Sequence, residues 1–155
     1  MPPRRAPTLL RLVFHDGATF RAADGRGGAN GSVRFELDRP ENTGLAKGWK
    51  VVEKAQAALA GTAAAGLSGA DLVCLLGAHA VAVTGGPAIE VPVGRPDAAG
   101  ADPEGRLPAE TLGAAELKAT FAAMGFGTVR PWWGAFPKRR CKGDANQDAN
   151  AGPAD

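Results

Sequence analysis

Between Leu72 and Val83 the chain is apolar on nearly every side, and this constrains the fold more than any other stretch. A helix without a polar face is stable in water only at the centre of a set of elements that cover it. The stretch opens and closes as a helix does: Ser68 followed by Asp71 resembles a capping box, and Gly85-Gly86-Pro87 stops it. Gly77 and His79 interrupt it, and it falls far short of the ~20 apolar residues that cross a bilayer. The expectation is a central helix in a soluble, all-α domain with no membrane span.

The flanking segments supply its cover. Leu9, Leu10, Val13 and Phe14 form an apolar band on a first helix expected from Ala6 to about Phe20, with Pro7 tolerated in its opening turn. Residues 21–42 are rich in Gly, Asn and Asp, which tolerate turn conformations, and read as a long structured loop. Asn42 or Thr43 can cap a second helix to about Ala60, on which Leu45, Trp49, Val52, Gln56 and Leu59 follow helical spacing. Residues 89–108 carry too many breakers for regular structure, and a fourth helix is expected from about Ala109 to Met124. At 155 residues this makes one domain, over 6–127. Residues 128–155 lack any period that could bury a face and read as a disordered tail, so Lys138-Arg139-Arg140 is a solvated run and no nucleic-acid partner is expected. A net charge of +2 points to no polyanionic partner either. Cys74 and Cys141 allow at most one bridge, and Cys74 reads as a free buried thiol. The first residues lack the apolar core of a secretory signal.

Chemistry concentrates in the first helix. In Arg11-Leu12-Val13-Phe14-His15-Asp16, Arg11, Phe14 and His15 lie three and four residues apart and share a face. A guanidinium and an imidazole beside an aromatic ring are costly to bury unless something occupies the space before them. The pattern marks a candidate site.

These residues, with Gly-Gly-Ala-Asn-Gly-Ser-Val-Arg-Phe-Glu-Leu, Arg-Pro-Glu-Asn-Thr-Gly-Leu, Leu-Ser-Gly-Ala-Asp-Leu, Thr-Gly-Gly-Pro, Val-Gly-Arg-Pro-Asp and Glu-Gly-Arg-Leu-Pro in that order, resemble the plant-type haem peroxidases, and most closely their ascorbate-peroxidase-related branch. The resemblance covers about residues 6–127. It implies the distal half of an all-helical haem b enzyme that reduces hydrogen peroxide with a small-molecule reductant, in response to oxidative stress. His15 then resembles the distal acid/base and Arg11 the distal arginine. Phe14 resembles the aromatic residue near the haem, Asn42 the asparagine bonded to the distal histidine, and Glu36 the glutamate of the supporting network. Arg11, Phe14 and Pro108 resemble residues beside the cofactor. A neutral imidazole can take a proton from one peroxide oxygen and return it to the other. A permanent cation would stabilise charge on the leaving oxygen. Asp16, Asn30 and Ser32 match calcium-ligand positions of the secreted peroxidases. An uncharged Asn there, and the absence of this site in ascorbate peroxidases, argue against calcium.

The second histidine that the family places opposite the haem has no counterpart here, since Val129-Arg130-Pro131-Trp132-Trp133 and the tail stand in its place. His79, in Leu-Leu-Gly-Ala-His-Ala, copies that motif superficially but falls on the third helix, where a hydrogen-bonded core histidine is expected. The chain also lacks the family's opening helix, and the family pattern ends at Gly127-Thr128, where Val-Arg would fit the read-through of an intron. A distal half alone would present an apolar inner face suited to a partner chain. The alternative to an enzyme is therefore a catalytically inactive peroxidase-fold protein that binds a partner. The resemblance makes a chloroplast location plausible.

Overall fold

The computed structural model of the protein describes residues 3–126; the expected tail, with Cys141 and the basic run, lies outside them. Four helices carry the described part: α1 (Ala6–Gly17), α2 (Ala46–Leu59), α3 (Gly69–Val83) and α4 (Ala114–Ala123). Short 3-10 turns occupy Pro3–Arg5, Ser32–Phe35 and Pro40–Asn42, and an antiparallel bridge pairs Arg21 with Arg26. Among the described residues there is no longer strand.

Leu9 and Leu12 of α1, Leu45, Trp49 and Val52 at α2, and Leu72, Val73 and Ala80 of α3 form one buried cluster. Two glycines set how closely the helices approach. A Cβ on Gly77 would lie 2.8 Å from Val13 Cγ1, and one on Gly48 would lie 3.2 Å from Thr8 Cγ2. Glycine is what lets α3 and α2 close on α1 at these points.

Several boundaries depart from expectation. The first helix stops at Gly17, three residues early, where Thr19 turns its hydroxyl back to the Asp16 carbonyl at 2.8 Å. The second helix starts at Ala46, with Leu45 at its cap position and no side-chain cap, because both expected caps are engaged elsewhere. Asn42 holds His15, and Thr43 Oγ1 donates to the Pro40 carbonyl at 2.7 Å. The fourth helix begins at Ala114 rather than near Ala109, where Glu116 accepts from the Gly113 N–H at 2.9 Å. At the start of α3 only half of the capping box forms. Ser68 Oγ accepts from the Asp71 N–H at 3.0 Å, while the Asp71 carboxylate turns to the N–H groups of Gly94 and Arg95 at 2.7 and 3.2 Å. The helix is covered by α1 and α2 on one side only, and His79 is exposed rather than in the core. Its place one residue before buried Ala80 puts it on the open face.

Residues 94–106 form an irregular strap that ties the loops to the helices. Asp97 accepts from the Gly69 and Ala70 N–H groups at 3.1 and 2.8 Å, which sets a carboxylate at the positive end of α3. Arg34 donates to the Ala98 carbonyl at 2.7 Å, and Arg106 reaches Asp24 at 2.8 Å and the Thr19 carbonyl at 3.2 Å. In an element without regular structure, such pairing of side chain to backbone replaces the ladder bonds a strand would have.

Candidate active site

Arg11 and His15 lie one helical turn apart on α1, and the loop carrying Glu41, Asn42 and Thr43 meets both. Arg11 Nη1 donates to the Thr43 carbonyl at 2.8 Å and Nη2 to the Glu41 carbonyl at 2.6 Å. Between those two carbonyls, Asn42 Oδ1 stands 2.7 Å from His15 Nδ1. Three consecutive residues thus hold the cation and the imidazole together.

The proton positions follow from this geometry. Asn42 Nδ2 donates to the Glu36 carbonyl at 2.9 Å, which only an amide nitrogen can do, so Oδ1 faces His15 and Nδ1 carries the proton. Nε2 is then the lone-pair nitrogen, and it accepts from Arg11 Nε at 3.3 Å. Burial lowers the His15 pKa from its ordinary value, the Asn42 bond raises it, and the Arg11 cation lowers it again; Glu41 and Glu110 pull weakly upward, and the balance is downward. The imidazole is neutral at physiological pH, with its basic nitrogen beside a cation.

Phe14 is 42% exposed, and its ring meets His15 edge-on at 5.8 Å between centroids. Arg11, Phe14, His15 and Asn42 are therefore brought together. Glu36 touches Asn42 through its backbone carbonyl only. Its buried carboxylate pairs with Arg39 Nη1 at 2.9 Å and accepts from the Asp102 N–H at 2.8 Å, which anchors that carbonyl to the strap. Pro108 is partly buried and takes no part in this hydrogen-bonded set, although Glu110, two residues on, is near enough to act on His15.

Asp16, Asn30 and Ser32 are close together, and the side chains of Asp16 and Asn30 are engaged within the fold. Asp16 accepts from the Gly31 and Val33 N–H groups at 2.9 and 3.2 Å. Asn30 accepts from the Ser32 N–H at 2.9 Å and donates to Asp102 at 3.3 Å. Ser32 Oγ is buried without a partner. Asp16 is the one carboxylate of the three, and two amides engage it; among the described residues there is no group of three or more His, Cys, Asp or Glu placed to hold a metal ion. Burial raises the Asp16 pKa to about 6 against the pull of the two amides.

The carbonyls of Glu41 and Thr43 escaped the sequence reading, since a backbone oxygen has no side-chain signature. So did Thr19, whose Oγ1 accepts from the Gly28 N–H at 2.9 Å and lies 2.7 Å from Asp102.

Residues 2–129 match the sequence profile of the peroxidase family, and the chain belongs to that family. Its relatives narrow the assignment to the plant-type, ascorbate-peroxidase-related branch. It is 48% identical over 124 residues to "Putative L-ascorbate peroxidase 6" of Arabidopsis thaliana, an alignment covering 80% of this chain and 37% of that one. It is 47% identical to "L-ascorbate peroxidase 5, peroxisomal" of the same plant, over 77% of this chain and 42% of the relative. The crystal structure of the TL29 protein from Arabidopsis thaliana superposes with a TM-score of 0.67 at 33% identity, over 81% of this chain and 62% of that one. The chain spans about two fifths of the length of the curated relatives it matches.

Proposed function

We propose that this chain supplies the peroxide-cleaving face of a haem peroxidase, with His15 moving the proton and Arg11 stabilising the leaving oxygen. The observation that carries this reading is the doubly fixed His15 tautomer, with Nδ1–H on Asn42 at 2.7 Å and Nε2 toward Arg11 at 3.3 Å. Nε2 takes the proton from one peroxide oxygen and delivers it to the other. Arg11 keeps two of its five N–H donors uncommitted among the described residues, and these meet the charge that develops. A haem held against this face by Arg11 and Phe14 would supply the electrons that reduce the peroxide bond.

The described residues fit one face of that group. Arg11 and exposed Phe14 offer a cation and a flat apolar ring beside the imidazole, and Pro108 would border them. The chain's other imidazole, His79, is exposed on α3 and lies outside the hydrogen-bonded set of Arg11, His15 and Asn42. The reductant is an organic small molecule. The likeness to thylakoid lumenal 29 kDa proteins named chloroplastic favours the chloroplast, although three other relatives are named peroxisomal.

One observation favours a second reading, a non-catalytic module that binds a partner chain. Phe14, Phe35, Ile89, Val93 and Phe126 are large and between 42% and 59% exposed. A soluble monomer rarely leaves large apolar surface open. Titration of the full chain with haemin separates the readings. The enzyme reading expects a saturable Soret band and a peroxide-driven spectral change, slowed by ~100-fold or more in His15→Leu. An unchanged rate in that variant refutes the assignment of His15, and no saturable band leaves the partner-binding reading. Loss of the band in His79→Ala would identify His79 as the iron ligand.

A further inference from the structure

A groove of about 390 Å³ lies where the start of α1 meets α2, and five cations line it: Arg4, Arg5, Lys47, Lys50 and Lys54. It holds more positive charge than the net +2 of the whole chain. None of the five forms an ion pair among the described residues, whereas Arg34, Arg39, Arg95 and Arg106 all do. Lys47, Lys50 and Lys54 are spaced three and four apart and so share one face of α2. Like charges at that spacing weaken a helix. The arginines sit across the groove from them, because the approach of Gly48 to Thr8 holds the two helices together. Among the described residues no carboxylate pairs with this concentration of charge, and a bound polyvalent anion would neutralise it.

We propose that this groove binds a compact oligophosphate, with Arg4 and Arg5 gripping phosphate oxygens through their planar guanidinium forks and the three lysines acting as point charges. The concavity favours this class over a flat anionic surface. Its volume is that of a small-molecule pocket, and its floor is Thr8, Leu9, Gly48 and Val51. Arg is suited to bidentate phosphate recognition and Lys to adaptable charge pairing. The groove shares no residue with the Arg11, His15 and Asn42 set.

The test is titration of the full chain with inorganic tripolyphosphate, read by calorimetry and by amide NMR shifts at physiological salt. A saturable one-site isotherm is expected, with shifts confined to residues 4–9 and 47–54. The triple variant Lys47→Gln, Lys50→Gln, Lys54→Gln should bind at least tenfold more weakly with an unchanged circular dichroism spectrum, and Arg5→Gln alone should bind more weakly too. Equal affinity in the triple variant overturns the proposal. So does binding to phosphatidylserine vesicles or to a single-stranded oligonucleotide with no saturable tripolyphosphate binding, which would make the groove a membrane or nucleic-acid surface.

Discussion

Asp16 has no exposed surface, and its carboxylate is balanced between opposing forces: burial pushes its pKa up to about 6 from 3.8, while two backbone N–H groups resist. A carboxyl with a raised pKa holds its proton in the folded chain at a pH where the unfolded chain has released it. The folded state then binds more protons, so stability falls as pH rises from ~4 through ~6, the reverse of the usual acidic case. The shift of about 2.2, from 3.8 to about 6, corresponds to ~3 kcal/mol at 1.36 kcal/mol per pKa unit. The perturbation is Asp16→Asn, which keeps the shape and removes the titration. Urea unfolding of the full chain, followed by far-UV circular dichroism at intervals from pH ~4 to ~7, gives the stability of both proteins. His15 has its pKa lowered and contributes a slope of the opposite sign, but it is present in both proteins and cancels in their difference. The variant should gain on the wild type by ~3 kcal/mol across that range, whatever its offset at the acid end. Parallel stability curves would refute the reasoning, since they would mean that the two amides fully compensate the burial.

Two further outcomes test the scaffold. Asn42→Ala strands the His15 Nδ1–H, while the Glu36 carbonyl keeps the Arg39 N–H at 3.1 Å, so the cost should be ~1–3 kcal/mol for the one group left unpaired. Imidazole ¹⁵N shifts should change from a single Nδ1–H tautomer to a mixture, with the His15 pKa lower still because the bond that raises it is gone; unaltered shifts would show that Arg11 alone fixes the ring. Gly77→Ala places a Cβ 2.8 Å from Val13 Cγ1 and should destabilise by ~1–3 kcal/mol through overpacking, in excess of the ~1 kcal/mol that alanine gains in helix propensity. A higher melting temperature for that variant would contradict the close approach of α1 and α3.

Helix identity was legible wherever the apolar period was long, as in α1 and α3, and boundaries failed where a side chain had two uses. Asn42 illustrates this. Its type and position suit a helix cap as well as they suit a hydrogen bond to an imidazole 27 residues earlier, and nothing local decides between them. The imidazole wins because it is partly buried and needs an acceptor for its N–H, while the first N–H groups of an exposed helix end can turn to water. Asp71 shows the same competition, since it leaves its place in the capping box for Gly94 and Arg95. His79 was misplaced for another reason. An apolar run does not say which of its sides is covered, and the side that holds His79 lies open.

The Arg11–His15 geometry is determined by direct bonds to one turn 27 to 32 residues further on, with one anchor behind it. Glu41, Asn42 and Thr43 meet Arg11 and His15 directly, and the Pro40–Asn42 turn fixes the order in which carbonyl, amide and carbonyl face α1. That turn could still rotate about its approach. The Glu36 carbonyl prevents this by accepting from Asn42, and Glu36 is itself held at its carboxylate by Arg39 and by the Asp102 N–H of the strap. Loosening the strap should therefore disturb the imidazole before it disturbs the core, because the chain of bonds from Asp102 to His15 passes through a single amide. Electrostatic stabilisation of a transition state requires dipoles fixed in advance of the reaction. On the proposed reading, the residue that fixes the imidazole in advance is Asn42, and the residue that fixes Asn42 is Glu36.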